Sequence, residues 1–236
     1  MVFMNNQAEE IEKHFGHIAS LIGEKSRAIM LWNLLDGRAY TATELAVAAD
    51  VSFQSASNHL SQLLNAGLLK SENQGRHKYY RFASDRVAQA IENIAGLIPA
   101  SPFLKSPDHS GITGIKYART CYDHLAGKIG VQLTHSLLKN KWLIAYTDRY
   151  EVSNAGNKQF ENIEIDIAAV QKQNRKFAYP CLDWSERNHH IGGALGAALL
   201  QSLIQKDWIR KINHSREILI TAKGRTELNK RFKMGL

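Results

Sequence analysis

Between Thr41 and Phe82 the apolar positions change period twice. Leu45, Ala46 and Ala49 recur at helical spacing, Asp50-Val51-Ser52 interrupts them, and Ala56, Leu60, Leu63 and Leu64 resume the helical period. Gly67 follows, a residue type that ends helices in the left-handed conformation. Two short strand-like runs come next, 68–71 and 78–82, joined by the polar tip Glu72-Asn73-Gln74-Gly75-Arg76-His77. The pattern predicts helix, tight turn, helix and β-hairpin.

That order is the layout of a winged helix-turn-helix, in which the second helix enters the major groove of DNA. Away from its apolar side, this helix and its leading turn carry Ser52, Gln54, Ser55, Ser57, Asn58 and Gln62. Gln and Asn pair bidentately with adenine, and Ser serves several bases. A solvated face would look the same, but the hairpin changes the picture. Its tip and second strand hold Arg76, His77, Lys78, Tyr79, Tyr80 and Arg81, a cluster suited to phosphate contacts that position a reading helix.

These residues resemble the ArsR/SmtB family of bacterial transcriptional regulators. The likeness rests on Ser26-Arg27-Ala28-Ile29-Met30, Thr43-Glu44-Leu45-Ala46, Val51-Ser52, Ser57-Asn58-His59-Leu60, Ala66-Gly67-Leu68-Leu69 and Gly75-Arg76-His77-Lys78-Tyr79-Tyr80. It covers about residues 8–98. The resemblance implies a homodimer on double-stranded operator DNA, with a repressor as the expected form. It places dimer contacts in the flanking stretches 8–22 and 84–98, and it adds His59 to the DNA-side residues. A packed core histidine is the other reading of His59. Thiolate-using sensors of this family often place Cys around the recognition helix, and residues 43–66 contain none.

Three of the four prolines fall in 99–111, which ends at Gly111, so a linker is expected there between domains at 1–98 and 112–236. Beyond it the chain repeats itself. His124-Leu-Ala-Gly127-Lys-Ile-Gly130 returns as His190-Ile-Gly-Gly193-Ala-Leu-Gly196, and Trp142 returns as Trp208. The copies run over about 117–165 and 183–233. Each reads helix, Trp, strand, turn, strand, then a helix opened by Ser153 or Thr221. The expected class is therefore α+β, mainly α with small β-wings, with a duplicated helix–hairpin–helix second domain. Gly127 with Gly130, and Gly193 with Gly196, read as small helix faces packed against one another.

Charge alters the picture only locally. The net charge of +8 divides as −1 over 1–98 and +9 over 99–236, so the reading half is not basic as a whole. A 44% hydrophobic content and 22% charge exclude disorder. The absence of an export signal or a long apolar run, with only Cys121 and Cys181, makes a cytoplasmic protein off the membrane the expectation.

Those cysteines stand close to histidines. Cys121 and His124, read as helical, share one face at i, i+3, and Cys181 and His190 precede the second glycine pair. Thiolate and imidazole together suit a soft divalent metal. Buried cysteine is also an ordinary small core residue, and Asp183-Trp-Ser-Glu186 reads as a helix capping box. Several functions stay open. One is a regulator sensing a small organic effector or a thiophilic metal at Cys121, His124, Cys181 and His190. Another is a regulator whose second domain is only structural. Last comes an enzyme using Cys181 with His189 or His190, which lacks an ordered triad or a phosphate loop; no enzyme is expected.

Overall fold

The computed structural model describes residues 2–97, 114–213 and 215–236. The chain falls into two compact units, Met1–Ile91 and Glu92–Leu236. The expected linker at 99–111 lies outside the described residues. The division comes earlier than 98 because Glu92 belongs to the second unit, where its buried carboxylate accepts from Arg216 Nη2 at 2.7 Å.

The first unit runs α1 (Val2–Gly23), α2 (Lys25–Leu34), β1 (Tyr40–Thr41), α3 (Ala42–Ala49), α4 (Phe53–Asn65), β2 (Leu69–Gln74), β3 (His77–Phe82) and the start of α5 (Asp85–Ala95), whose residues from Glu92 on are counted with the second. Helix α3 opens with a capping box between Thr41 and Glu44 and closes on Asp50 in the left-handed conformation. Ser52 then caps α4, accepting from the Ser55 amide at 3.2 Å. Leu45, Ala46, Ala49, Ala56, Leu60 and Leu63 are buried as the spacing requires, while Leu64 is only half-buried. Gly67 takes a φ of 68°, where a side chain would be strained.

Sheet order is β1-β3-β2, all antiparallel. The hairpin is longer than expected. Asn73 pairs with Lys78 and Gln74 with His77, leaving only Gly75 and Arg76 as the turn. Polar residues on both faces give no alternation to read, so this part of the ladder is silent in the sequence.

The second unit begins with the hairpin β4 (Arg119–Cys121) and β5 (His124–Ala126), then α6 (Gly127–Lys139), the hairpin β6 (Leu143–Ala145) and β7 (Tyr150–Val152), and α7 (Asn154–Glu161). After α8 (Ile167–Gln171) the order returns as β8 (Tyr179–Leu182), β9 (His189–Gly192), α9 (Gly193–Gln205), β10 (Ile209–Lys211), β11 (Ile218–Ile220) and α10 (Ala222–Phe232). Hairpin, helix, hairpin, helix occurs in each half, and the second half starts near Tyr179 rather than 183. Its core joins Trp142, Phe160, Leu195, Leu199, Leu203, Trp208 and Phe232. Ser153 and Thr221 cap α7 and α10, each accepting from a glycine amide at 2.9 Å.

Two expectations are corrected. Cys121 and His124 lie on a hairpin with a two-residue turn, not on a helix. Three-residue strands are too short to show a period. The glycine faces meet hairpins rather than each other. A Cβ on Gly130 would stand 2.5 Å from the Leu125 carbonyl oxygen and 3.6 Å from His190 Cβ. One on Gly196 would stand 2.4 Å from the Ile191 carbonyl oxygen and 3.0 Å from His124 Cβ. Helix α6 thus packs on β9, and α9 on β5. Among the described residues no helix is long and apolar enough to cross a membrane.

The closest backbone approaches in this unit are at Gly156 and Gly224, where a Cβ would lie 2.2 Å from the Trp142 carbonyl oxygen and 1.8 Å from that of Trp208. Gly156→Ala and Gly224→Ala should each destabilise the chain by about 1–3 kcal/mol or more, because backbone must shift. Urea unfolding measures this. Unchanged midpoints would mean that the hairpin–helix joints are not closely packed.

Candidate functional site

The reading helix α4 displays part of what the sequence promised. Ser52, Gln54 and Asn58 are exposed, and Ser55 and Ser57 are half-buried. Phe53 in the first turn is 58% exposed. The sequence reading missed it; a large apolar residue beside polar ones outside the Ala56–Leu60 stripe was the available signal. On the hairpin Arg76, His77 and Lys78 are exposed, and Tyr79 is half-buried. Arg81 is paired with Glu72 at 2.9 Å.

His59, half-buried, and Gln62, exposed, also make contacts within the unit. Arg27 Nη1 lies 3.2 Å from His59 Nδ1 and donates to Gln62 Oε1 at 2.8 Å. Glu24 stands 3.6 Å from the same imidazole. The buried guanidinium also donates to the carbonyls of Leu21 and Ser20, at 2.7 and 3.1 Å. These two α4 side chains therefore tie the helix to α1 and α2. The polar pattern could not show it, because the partner lies more than 30 residues away.

In the second unit the two short hairpins bring Cys121, His124, Cys181 and His190 together. Cys121 opposes His124 across β4–β5, and Cys181 opposes His190 across β8–β9. Directly opposed residues project from the same face of a hairpin. The sulfurs lie 3.8 Å apart and the two Nε2 atoms 3.1 Å apart. All four ligand atoms fall within 4.8 Å of one another, and all four residues are buried. His189 is exposed on the opposite face of β9, so it does not serve Cys181 as a base.

A carboxylate backs each imidazole. Asp123 Oδ1 lies 3.2 Å from His124 Nδ1, and Asp183 Oδ2 lies 3.3 Å from His190 Nδ1. Asp123 is paired with Arg175. Asp183, with no exposed surface, accepts from Arg119 Nη2 at 2.9 Å and from the Gly127 amide at 2.7 Å. It also accepts from the Ser185 and Glu186 amides at 2.9 and 3.0 Å. The expected capping box is thus a turn within the β8–β9 loop, because the residues after it form no helix.

Charges follow from these partners. Burial alone would lower His124, but hydrogen bonds to Asp123 and Cys181 raise it to about 9. The Cys121 hydrogen bond, joined by both histidines, outweighs burial and holds Cys181 well below the usual thiol range. Burial pushes Cys121 well up. Burial also pushes Asp183 upward, yet the His190 hydrogen bond and the Arg119 charge bring it far below the ordinary carboxylate range.

Asp183→Ala should cost about 3–5 kcal/mol, since it strands the buried Arg119 guanidinium. With its folded value depressed, this carboxyl stabilises fully above about pH 4 and loses that contribution as pH falls toward the folded value. Urea midpoints from pH 7 down to pH 3 test both statements. A change below about 1 kcal/mol would show that the ion pair is dispensable.

No family model matches the chain. It is 40% identical over 213 residues, 90% of this chain and 94% of the other, to the uncharacterized HTH-type transcriptional regulator YdfF of Bacillus subtilis (strain 168). Among solved structures, the homodimeric winged helix-turn-helix DNA-binding domain of Mb0332 from Mycobacterium bovis is 22% identical, with a TM-score of 0.35, over 37% of this chain and 81% of that one. The cadmium metal-sensor CMTR from Mycobacterium tuberculosis is 26% identical, with a TM-score of 0.31, over 40% of this chain and 97% of that one. On the extent and identity of the match to YdfF, the chain belongs to the family of HTH-type transcriptional regulators that includes it.

Proposed function

We propose that this regulator binds operator DNA as a homodimer through α4 and the β2–β3 hairpin, acts as a repressor, and answers a signal through its second unit. The observation that carries the DNA reading is the composition of exposed α4. Ser52, Phe53, Gln54 and Asn58 stand clear of the core, with donors and acceptors for base edges and a ring for a thymine methyl. Ser55 and Ser57 flank them. Arg76, His77 and Lys78 at the hairpin tip, with Tyr79 behind, supply the phosphate contacts.

Dimerisation follows from α1. Ile11 is 69% exposed and Phe15 75% exposed, four residues apart on one helix face. With Ile18, Glu10 and His14 they line a shallow groove. On α5 Ile94 is exposed, as is Leu97 just beyond it. A second copy is the occupant proposed, because paired helices would also set two reading helices about 34 Å apart, one turn of DNA.

Arg76→Ala with Lys78→Ala should weaken binding to every duplex and flatten the salt dependence by about one unit per lost phosphate contact. Gln54→Ala or Asn58→Ala should instead erode discrimination between operator and random DNA by about 1–3 kcal/mol. Fluorescence anisotropy across a salt series separates the two. An unchanged slope in the double variant would remove the hairpin from the interface. Sedimentation equilibrium at micromolar concentration should find a dimer, and Phe15→Asp should shift it toward monomer. A wild-type monomer with and without DNA would sink the dimer.

A further inference from the structure

We propose that Cys121, His124, Cys181 and His190 form a closed, four-coordinate site for one soft divalent cation of the zinc class, which is the signal or clamp of the second unit. The inference deepens the sensing role just proposed by naming its ligand chemistry, and the binding measurements below do not depend on DNA.

Geometry is the first argument. Two thiols and two imidazoles are a donor set for tetrahedral zinc with no open position, which suits holding or sensing rather than catalysis. Metal–sulfur bonds of about 2.3 Å place two tetrahedral ligands about 3.8 Å apart. The two sulfurs here are 3.8 Å apart. Metal–nitrogen bonds of about 2.0–2.1 Å give a nitrogen pair about 3.3 Å apart. The two Nε2 atoms are 3.1 Å apart.

The surroundings supply the second argument. Metal-bound histidine commonly gives its other ring N–H to a carboxylate, which fixes tautomer and direction. Asp123 takes that place on His124 Nδ1, and the Asp183 carboxylate stands 3.3 Å from His190 Nδ1. The two Nε2 atoms then face each other across the cluster, where a cation could be bound by both.

Charge balance is the third. Two thiolates and a divalent cation sum to zero. Each backing carboxylate has its own guanidinium, Arg175 for Asp123 and Arg119 for Asp183. The loaded centre is therefore neutral as a whole, as burial demands. Binding forms two metal–sulfur and two metal–nitrogen bonds, and it releases to solvent the protons held on the ligand sulfurs and on the ring nitrogens that take up the metal. No oxidant or reductant takes part.

The test titrates Co2+, a visible stand-in for Zn2+, into the reduced, chelator-treated full-length chain. One Co2+ per chain is expected, with intense tetrahedral d–d bands and a thiolate charge-transfer band, both erased by Zn2+. Cys181→Ser should remove the charge-transfer intensity of one sulfur and weaken binding. Should that variant unfold, Asp123→Asn keeps all four ligands and should weaken Co2+ binding about 10–100-fold while preserving the tetrahedral bands, as expected of a positioning residue. The Arg76→Ala, Lys78→Ala chain should load Co2+ like wild type even if it no longer binds DNA, so the two proposals fail separately. Weak octahedral binding, no binding by the reduced wild-type chain, or tetrahedral bands that survive Cys121→Ser with Cys181→Ser would overturn the site.

Discussion

The second unit depends on one buried charge pair. Asp183 and Arg119 are both withdrawn from solvent and 2.9 Å apart. Through them the β8–β9 loop is tied to strand β4 and, by the Gly127 amide, to the start of α6. Arg119 also stacks on Trp184 at 4.4 Å and donates to Ser185 Oγ at 3.1 Å. A charge this deep is tolerated when it is paired and hydrogen-bonded. The same Oδ2 oxygen that takes these bonds lies 3.3 Å from His190 Nδ1, so the group that closes the two hairpins also sits beside an imidazole.

Helix placement completes the constraint. Each long helix of this unit packs on the opposite half's hairpin, and a glycine faces the histidine there. Larger residues at Gly130 and Gly196 would hold the hairpins apart and separate the imidazoles. Thr134 on α6 receives the Ile191 amide at 2.9 Å, which fixes β9 beside His190. The glycine pairs read from the sequence as helix–helix spacers are spacers, but between helix and strand.

In the first unit Arg27 plays the corresponding part. Its donors reach α1 carbonyls and two α4 side chains. They fix the rotation of α4 about its axis, and with it which polar residues face outward. Gln54 and Asn58 stand exposed, while His59 is half-buried and the exposed Gln62 accepts from Arg27.

The sequence by itself determined the helix, turn, helix and hairpin of the first unit. Apolar period, the caps at Thr41 and Ser52 and the stop at Gly67 are local interactions within a few residues. It also matched His124 with His190 in a repeated stretch, each preceded by a cysteine, with Ser153 and Thr221 as equivalent caps. Tertiary structure decided the rest. The cysteine and histidine are three residues apart in one hairpin and nine in the other, so no shared spacing announces a cluster. Their strands are three or four residues long, too short for a period. Asp183 reads as an ordinary cap, Arg27 as one residue of the family motif, and Arg119 carries no signal of its own. They act through partners as far as 66 residues away, and only the folded chain brings those together.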